Sequence, residues 1–240
     1  MPPLASRSET AYRALRQAIL EQELKPGARL PEDEIGAPFG ISRTLVRQAL
    51  QRLQADGLVE LGGKRTAAVA RPTAEEARDV FRVRRALERE ALRILAEDWR
   101  PETGAALEGH LRAERQALEA RDARAGVRLA WEFHALIAEL TGNGLLETWI
   151  NQLVVRCSLI LAVHGRPHAA DCSVAEHGAV LDALRRSEPE EAARLMDHHL
   201  HLVEGRALAP EAEAAPDLGA LLSRYAEALP APPAPPFSRR

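Results

Sequence analysis

From Gly27 to Val59 the chain reads GARLPEDEIGAPFGISRTLVRQALQRLQADGLV: a short amphipathic segment, a glycine turn, and a longer helical segment with two unlike faces. At about 100° per residue, Leu45, Val46, Ala49, Leu50 and Leu53 fall on one arc, and Arg43, Thr44, Arg47, Gln48 and Gln51 on the other. The first arc is built to pack. The second carries two arginines one turn apart, a threonine, two glutamines and no acid. Arginine pairs bidentately with guanine O6 and N7, and glutamine with adenine N6 and N7. The spacing therefore predicts a helix-turn-helix whose second helix lies in the DNA major groove, with Ser42 as its N-cap.

Flanking segments complete this unit. Tyr12, Leu15, Ile19 and Leu20 recur at helical spacing over 9–23, and Lys25-Pro26-Gly27 ends that helix. A short helix over 31–38 leads through Phe39-Gly40 to Ser42. After Gly57, the runs 58–61 and 67–70 about a Gly62-Gly63-Lys64-Arg65 turn read as a two-stranded wing. Arg71-Pro72-Thr73 breaks the pattern. Beyond it, helices are expected at 74–97, 102–121, 123–141, 144–164, 173–186 and 189–207, an antiparallel bundle. Residues 208–216 and 230–240 are rich in Ala and Pro, around a short helix expected at 217–229. The expected fold is mainly α: a winged helix-turn-helix over 8–71, an all-helical domain over 72–207, and a mobile tail over 208–240.

A net charge of −3 over 240 residues conceals an asymmetry. Residues 1–71 hold 11 of the 32 Lys+Arg and 8 of the 35 Asp+Glu, leaving 21 and 27 for the remainder. A basic head on an acidic body suits a DNA-binding module joined to a domain with another task. No apolar run approaches the ~18 residues of a membrane span, and the start has no signal-peptide core. The two cysteines, Cys157 and Cys172, form neither a disulfide framework nor a CxxC pair. These features point to a cytoplasmic protein without a membrane partner.

Eight histidines sort by helical geometry. His134, His177 and His199 each lie mid-stripe on the apolar face of a different helix, whereas His198 and His201 share a face with Arg194, Asp197 and Glu204. A lone histidine in an apolar stripe is ordinarily a core residue with one satisfied hydrogen bond. Three such histidines on three helices would each need a buried partner, and one shared divalent cation satisfies all three. Both readings stay open at this level: packed histidines, or a metal or anion site.

The order and spacing of several motifs resemble the GntR family of bacterial transcription regulators, in its FadR-like branch with a helical FCD domain. The motifs are PGARLPEDEI, ISRTLVRQALQRLQADGLV, RRALE at Arg84–Glu88, Phe133-His134 followed by Thr141-Gly142-Asn143, Glu176-His177, and MDHHL ending at Leu200. The resemblance implies a homodimer that binds a palindromic double-stranded operator and responds to a small carboxylate effector. By that likeness Arg43, Thr44 and Arg47 contact bases and phosphates, while Arg29 and Gly63, Lys64 and Arg65 of the wing touch the backbone or minor groove. His134, His177 and His199 hold a divalent metal, zinc or nickel, and Arg84 lines the effector pocket unless it pairs with Glu88 one turn on. Arg156, on the long 144–164 helix, is a second effector candidate. Three positions depart from the pattern: Ala130 stands where an Asp or Asn ligand is usual, Arg65-Thr66 where the wing often has Arg-Gly, and Asp33 where a basic residue is common.

The function expected is a ligand-responsive repressor, not an enzyme. Two alternatives remain: a constitutive dimeric DNA-binding protein with a vestigial pocket, and a three-His metalloenzyme, which lacks an identifiable general base beside the metal.

Overall fold

A computed structural model describes residues 4–21, 23–62, 66–164 and 170–208. The wing tip at Gly63, Lys64 and Arg65, the loop holding His168, and the tail from Ala209 onward, including the helix expected at 217–229, lie outside the described residues. Helix α1 (Leu4–Leu20) precedes strand β1 (Arg29–Leu30), helices α2 (Glu32–Phe39) and α3 (Arg43–Ala55), and strands β2 (Val59–Glu60) and β3 (Ala67–Val69). The expected two-stranded wing is in fact a three-stranded antiparallel sheet of order β1-β3-β2, with Arg29 opposite Ala68 and Val59 opposite Val69. A two-residue strand such as β1 is too short for alternation to reveal it.

Helix α3 turns its two arcs as the sequence implies. Val46, Ala49, Leu50 and Leu53 are buried against Ala11, Leu15 and Ile19 of α1, Ile35 of α2, and Val59 and Val69 of the wing. Ser42 has the extended backbone of an N-cap, but its side chain makes no capping bond, which corrects that expectation.

Among the described residues the body consists of α4 (Ala74–Glu97), α5 (Pro101–Glu119), α6 (Ala123–Leu140), α7 (Gly144–His164), α8 (Ala170–Arg185) and α9 (Pro189–Ala207). A full capping box starts α4: Glu76 N–H donates to Thr73 Oγ1, and Thr73 N–H donates to Glu76 Oε2. Proline at the first position starts α5 and α9, where its missing N–H costs nothing. Helix α4 packs on α9, α7 and α6, and α5 on α6 and α8, around Leu92, Leu107, Phe133, Ile137, Ile150, Leu184 and Leu200.

Helix α7 is 21 residues long with a mean hydropathy of 1.3, long and apolar enough by length and composition to cross a membrane, although Glu147 and Arg156 interrupt its apolar run. Its apolarity has another cause here: it is shared by both parts of the molecule. Val154 and Ile150 belong to the bundle core, Cys157, Ile160 and Leu161 to a cluster with α4 and α9, and Val155 and Leu159 to the core of the head.

Between Val155 and Leu159, Arg156 donates from Nε to the carbonyl of Asp56 at 2.8 Å and from Nη2 to that of Ala55 at 3.4 Å, closing the C-terminus of α3. Gly57, at φ 75°, makes this approach possible, since a Cβ there would lie 2.5 Å from Arg156 Nε. In Gly57→Ala the guanidinium can swing aside but the left-handed backbone cannot, so urea unfolding should show a loss of about 1–2 kcal/mol. Unchanged stability would contradict this account of the turn.

Candidate functional site

Two constellations carry chemistry. On the head, Arg43, Thr44, Arg47, Gln48 and Gln51 are all exposed along one side of α3, with Ser42 exposed before them and Arg29 exposed on the neighbouring strand. Neither arginine of this face is unpaired. Arg43 donates from Nε and Nη2 to the two carboxylate oxygens of Asp33, each at 2.5 Å, and Arg47 donates from Nε to Glu32 Oε1 at 2.6 Å.

Inside the bundle, His134 of α6, His177 of α8 and His199 of α9 come together. Their ring centroids lie 4.7 to 5.2 Å apart, and one nitrogen from each falls within 4.8 Å of the other two. All three are buried. Each Nδ1 faces a carboxylate: His134 to Glu88 Oε2 at 2.6 Å, His177 to Glu114 at 3.0 Å, and His199 to Glu176 Oε2 at 2.5 Å. An ionised carboxylate only accepts, so each Nδ1 carries the proton and each Nε2 presents a lone pair. His177 Nε2 is buried with no partner.

The charge states agree with that arrangement. Burial, followed by the Arg84 charge, pushes His134 down to about 3, and burial pushes His199 down to about 4, so both are neutral near pH 7. Burial would raise Glu88, but Arg84 and His134 outweigh it and hold the carboxyl at about 2. His110 and His177 do the same for Glu114, also at about 2.

The donor set fits a divalent cation: three neutral imidazoles from three helices, tautomers fixed by carboxylates behind them, and an orphaned Nε2 lone pair between them. Ala130, one turn before His134, offers no fourth donor. Around this centre the unmet needs are of the opposite kind. Arg84 is fully buried and donates from Nε to Glu88 Oε1 at 2.5 Å, yet its Nη1 and Nη2 have no hydrogen-bond partner. Trp131 Nε1, whose ring lies 5.6 Å from the Arg84 guanidinium carbon, is equally unmet, as are Nε and Nη2 of Arg206 on α9. Buried donors without acceptors are costly, and an anion would satisfy them.

Arg84 pairs with Glu88, the alternative to the pocket role, and its Nη1 and Nη2 stay without a partner. Arg156 is placed differently from the expectation: its guanidinium engages the end of α3 rather than these donors. Of the other histidines, His110 donates from Nε2 to Leu129 O at 2.8 Å, His164 donates from Nε2 to Pro72 O at 2.8 Å, and His198 and His201 are exposed. Sequence reasoning missed Glu114 altogether and saw Glu88 and Glu176 without their histidine partners. The signal was present, since Glu114 interrupts the apolar stripe of Leu107, Leu111 and Ala117, and Glu88 that of Phe81 and Leu92.

A winged helix with an exposed arginine-bearing helix, joined to an all-helical body with a buried polar centre, defines the class of a two-part helix-turn-helix protein. Residues 7–69 match the family described as bacterial regulatory proteins, gntR family, and residues 79–202 match the FCD domain. The chain belongs to the GntR family of transcription regulators and carries an FCD domain. It is 30% identical over 231 residues to the HTH-type transcriptional repressor NanR of Cronobacter sakazakii, covering 84% of this chain and 86% of that one. It is 25% identical over 195 residues to the uncharacterized HTH-type transcriptional regulator YdhC of Bacillus subtilis, covering 79% and 86%. A putative transcriptional regulator GntR from Rhodococcus sp. RHA1 superposes with a TM-score of 0.74 at 26% identity, covering 85% of this chain and 99% of that one. These relatives are transcription regulators rather than enzymes.

The neutral buried imidazoles make stability depend on pH. Below the ordinary value of 6.5 the unfolded chain protonates His134 and His199 while the folded one does not, so the unfolded state gains protons and stability falls. Metal-free protein should lose thermal midpoint as pH drops from 6.5 to 4, and His134→Gln with His199→Gln should flatten that slope. A flat wild-type profile would contradict the assignment.

Proposed function

We propose that the chain is a ligand-responsive repressor that binds a palindromic operator as a homodimer in the cytoplasm and changes its grip when a small carboxylate enters the helical body. Residues 8–71 form the DNA-binding head and 72–207 the effector and dimerisation domain. Arg43, Thr44, Arg47, Gln48 and Gln51 face the major groove, with Arg29 and the wing residues Gly63, Lys64 and Arg65 against the DNA backbone. Repression is the role printed for the relative NanR. Dimerisation is supported by large apolar side chains left exposed on the body, Val83 of α4 and Leu145 and Trp149 of α7.

One observation carries the effector reading: the convergence of one nitrogen from each of His134, His177 and His199, with His177 Nε2 unmet, beside the unmet Arg84 donors. The histidines would hold zinc or nickel, and a bound cation would supply a Lewis-acidic anchor for one effector oxygen. Arg84 orients the effector's carboxylate, Trp131 covers it, and the buried carboxylates keep the imidazoles aimed. Helix α7 links this centre to the reading helix, because Cys157 stands beside Arg84 while Arg156, one residue earlier, closes α3. A shift of α7 on effector binding would therefore move the head.

Full-length protein purified without a histidine tag should hold near-stoichiometric zinc or nickel. Its affinity for a selected operator should change tenfold or more with at least one aliphatic mono- or dicarboxylate. His177→Ala should lose both metal and response while keeping DNA binding. Affinity indifferent to every metal and carboxylate would instead favour the constitutive reading, for which Ala130 is the specific argument.

A further inference from the structure

Two acids of α2 hold the two outward arginines of α3. Glu32 and Asp33 open the first turn of α2, and neither contributes to the core. An acid beside a DNA-facing helix repels phosphate and weakens binding to every sequence. The start of α2 favours acids through the helix dipole, which Glu34 satisfies as well, but only Glu32 and Asp33 reach across to α3, over fifteen and ten residues of sequence, and each takes an arginine by its Nε. Asp33 occupies Nε and one hydrogen of Nη2 of Arg43 with both of its oxygens, the fork-to-fork geometry that fixes a guanidinium plane. Glu32 occupies Nε of Arg47 and is itself the less exposed partner, at 27% against 66%. In both cases the outer Nη1/Nη2 edge stays available among the described residues. That edge is the one that meets guanine O6 and N7.

We infer that Asp33 and Glu32 are specificity-determining residues that hold Arg43 and Arg47 in the orientation for guanine and keep them from swinging to phosphates. The inference rests on the base-reading role proposed for the two arginines. A guanidinium fixed in one plane offers two parallel donors to guanine and only one useful donor to adenine N7 or thymine O4. Without its acid, the same arginine is a mobile cation that gains affinity from any backbone. These acids therefore lower non-specific affinity and raise discrimination, and they do so at two points one helical turn apart.

The test is selection from a randomised duplex library by full-length wild-type protein, Asp33→Ala, Asp33→Asn, Glu32→Gln and Arg43→Ala. Anisotropy titrations on the selected duplex and on a scrambled one at several salt concentrations complete it. Wild type should enrich guanine at two positions per half-site. Arg43→Ala should abolish one of them. Asp33→Ala should lower guanine preference about tenfold at that same position alone, tighten binding to the scrambled duplex, and steepen its salt dependence by about one counterion. Asp33→Asn should fall between, and Glu32→Gln should act on the other position. Unchanged unfolding midpoints would separate these effects from a structural role. If Asp33→Ala keeps the full guanine preference, or strengthens all sequences equally, the acid only masks charge and the inference is wrong. If Arg43→Ala also leaves the preference intact, the base-reading assignment falls with it.

Discussion

Glu88, Glu114 and Glu176 are each held against an imidazole inside or at the edge of the helical bundle, and the organisation of the body follows from those three contacts. The acids come from α4, α5 and α8, and the histidines from α6, α8 and α9, so five helices are tied to one centre. A buried carboxylate is costly unless it is charged-paired and hydrogen-bonded. Here each accepts an Nδ1 proton, and Glu88 is also paired with Arg84. The consequence is directional, because fixing Nδ1 as the donor leaves Nε2 as the only basic atom of each ring, and the three rings face one another. Three buried imidazoles that could hold a metal thus lie near the unpartnered donors of Arg84 and Trp131.

The second organising element is α7. Among the described helices it is the one whose buried residues enter all three hydrophobic clusters, and its composition reflects that: apolar residues on nearly every side, with Arg156 emerging where the head docks. Closing the end of α3 with a cation from the body gives the recognition helix a physical tie to the domain that holds the histidine centre. The head is further tied to the body by Arg124 of α6 with Glu21, while His164 at the end of α7 donates to the carbonyl of Pro72 just past the head. Among the described residues this junction combines such polar ties with the apolar contacts of Val155 and Leu159, and junctions between domains of this mixed kind can exchange between two arrangements.

The fold was legible where periodicity is long. Helix α3, the bundle helices other than α7, and the inward histidines all follow from apolar stripes, which also set His198 and His201 apart from the buried His199. What could not be read were features set by tertiary proximity. Strand β1 exists only because β3 lies beside it. Arg156 on an otherwise apolar helix looks like a pocket residue until the head is placed against it. Glu114 looks like an ordinary helix acid unless its place in the stripe of Leu107 and Leu111 is noticed, and the pairing of Asp33 with Arg43 depends on how α2 crosses α3.

The claim on which most depends is that the three histidines are neutral Nδ1–H tautomers with Nε2 lone pairs converging. Long-range 15N correlation spectra of the imidazoles in metal-free protein near pH 7 address it directly. The account predicts Nδ1–H for His134, His177 and His199, and, on addition of zinc, large shifts of all three Nε2 resonances with the Nδ1 protons retained. Nε2–H tautomers, or rings whose spectra ignore zinc, would contradict it.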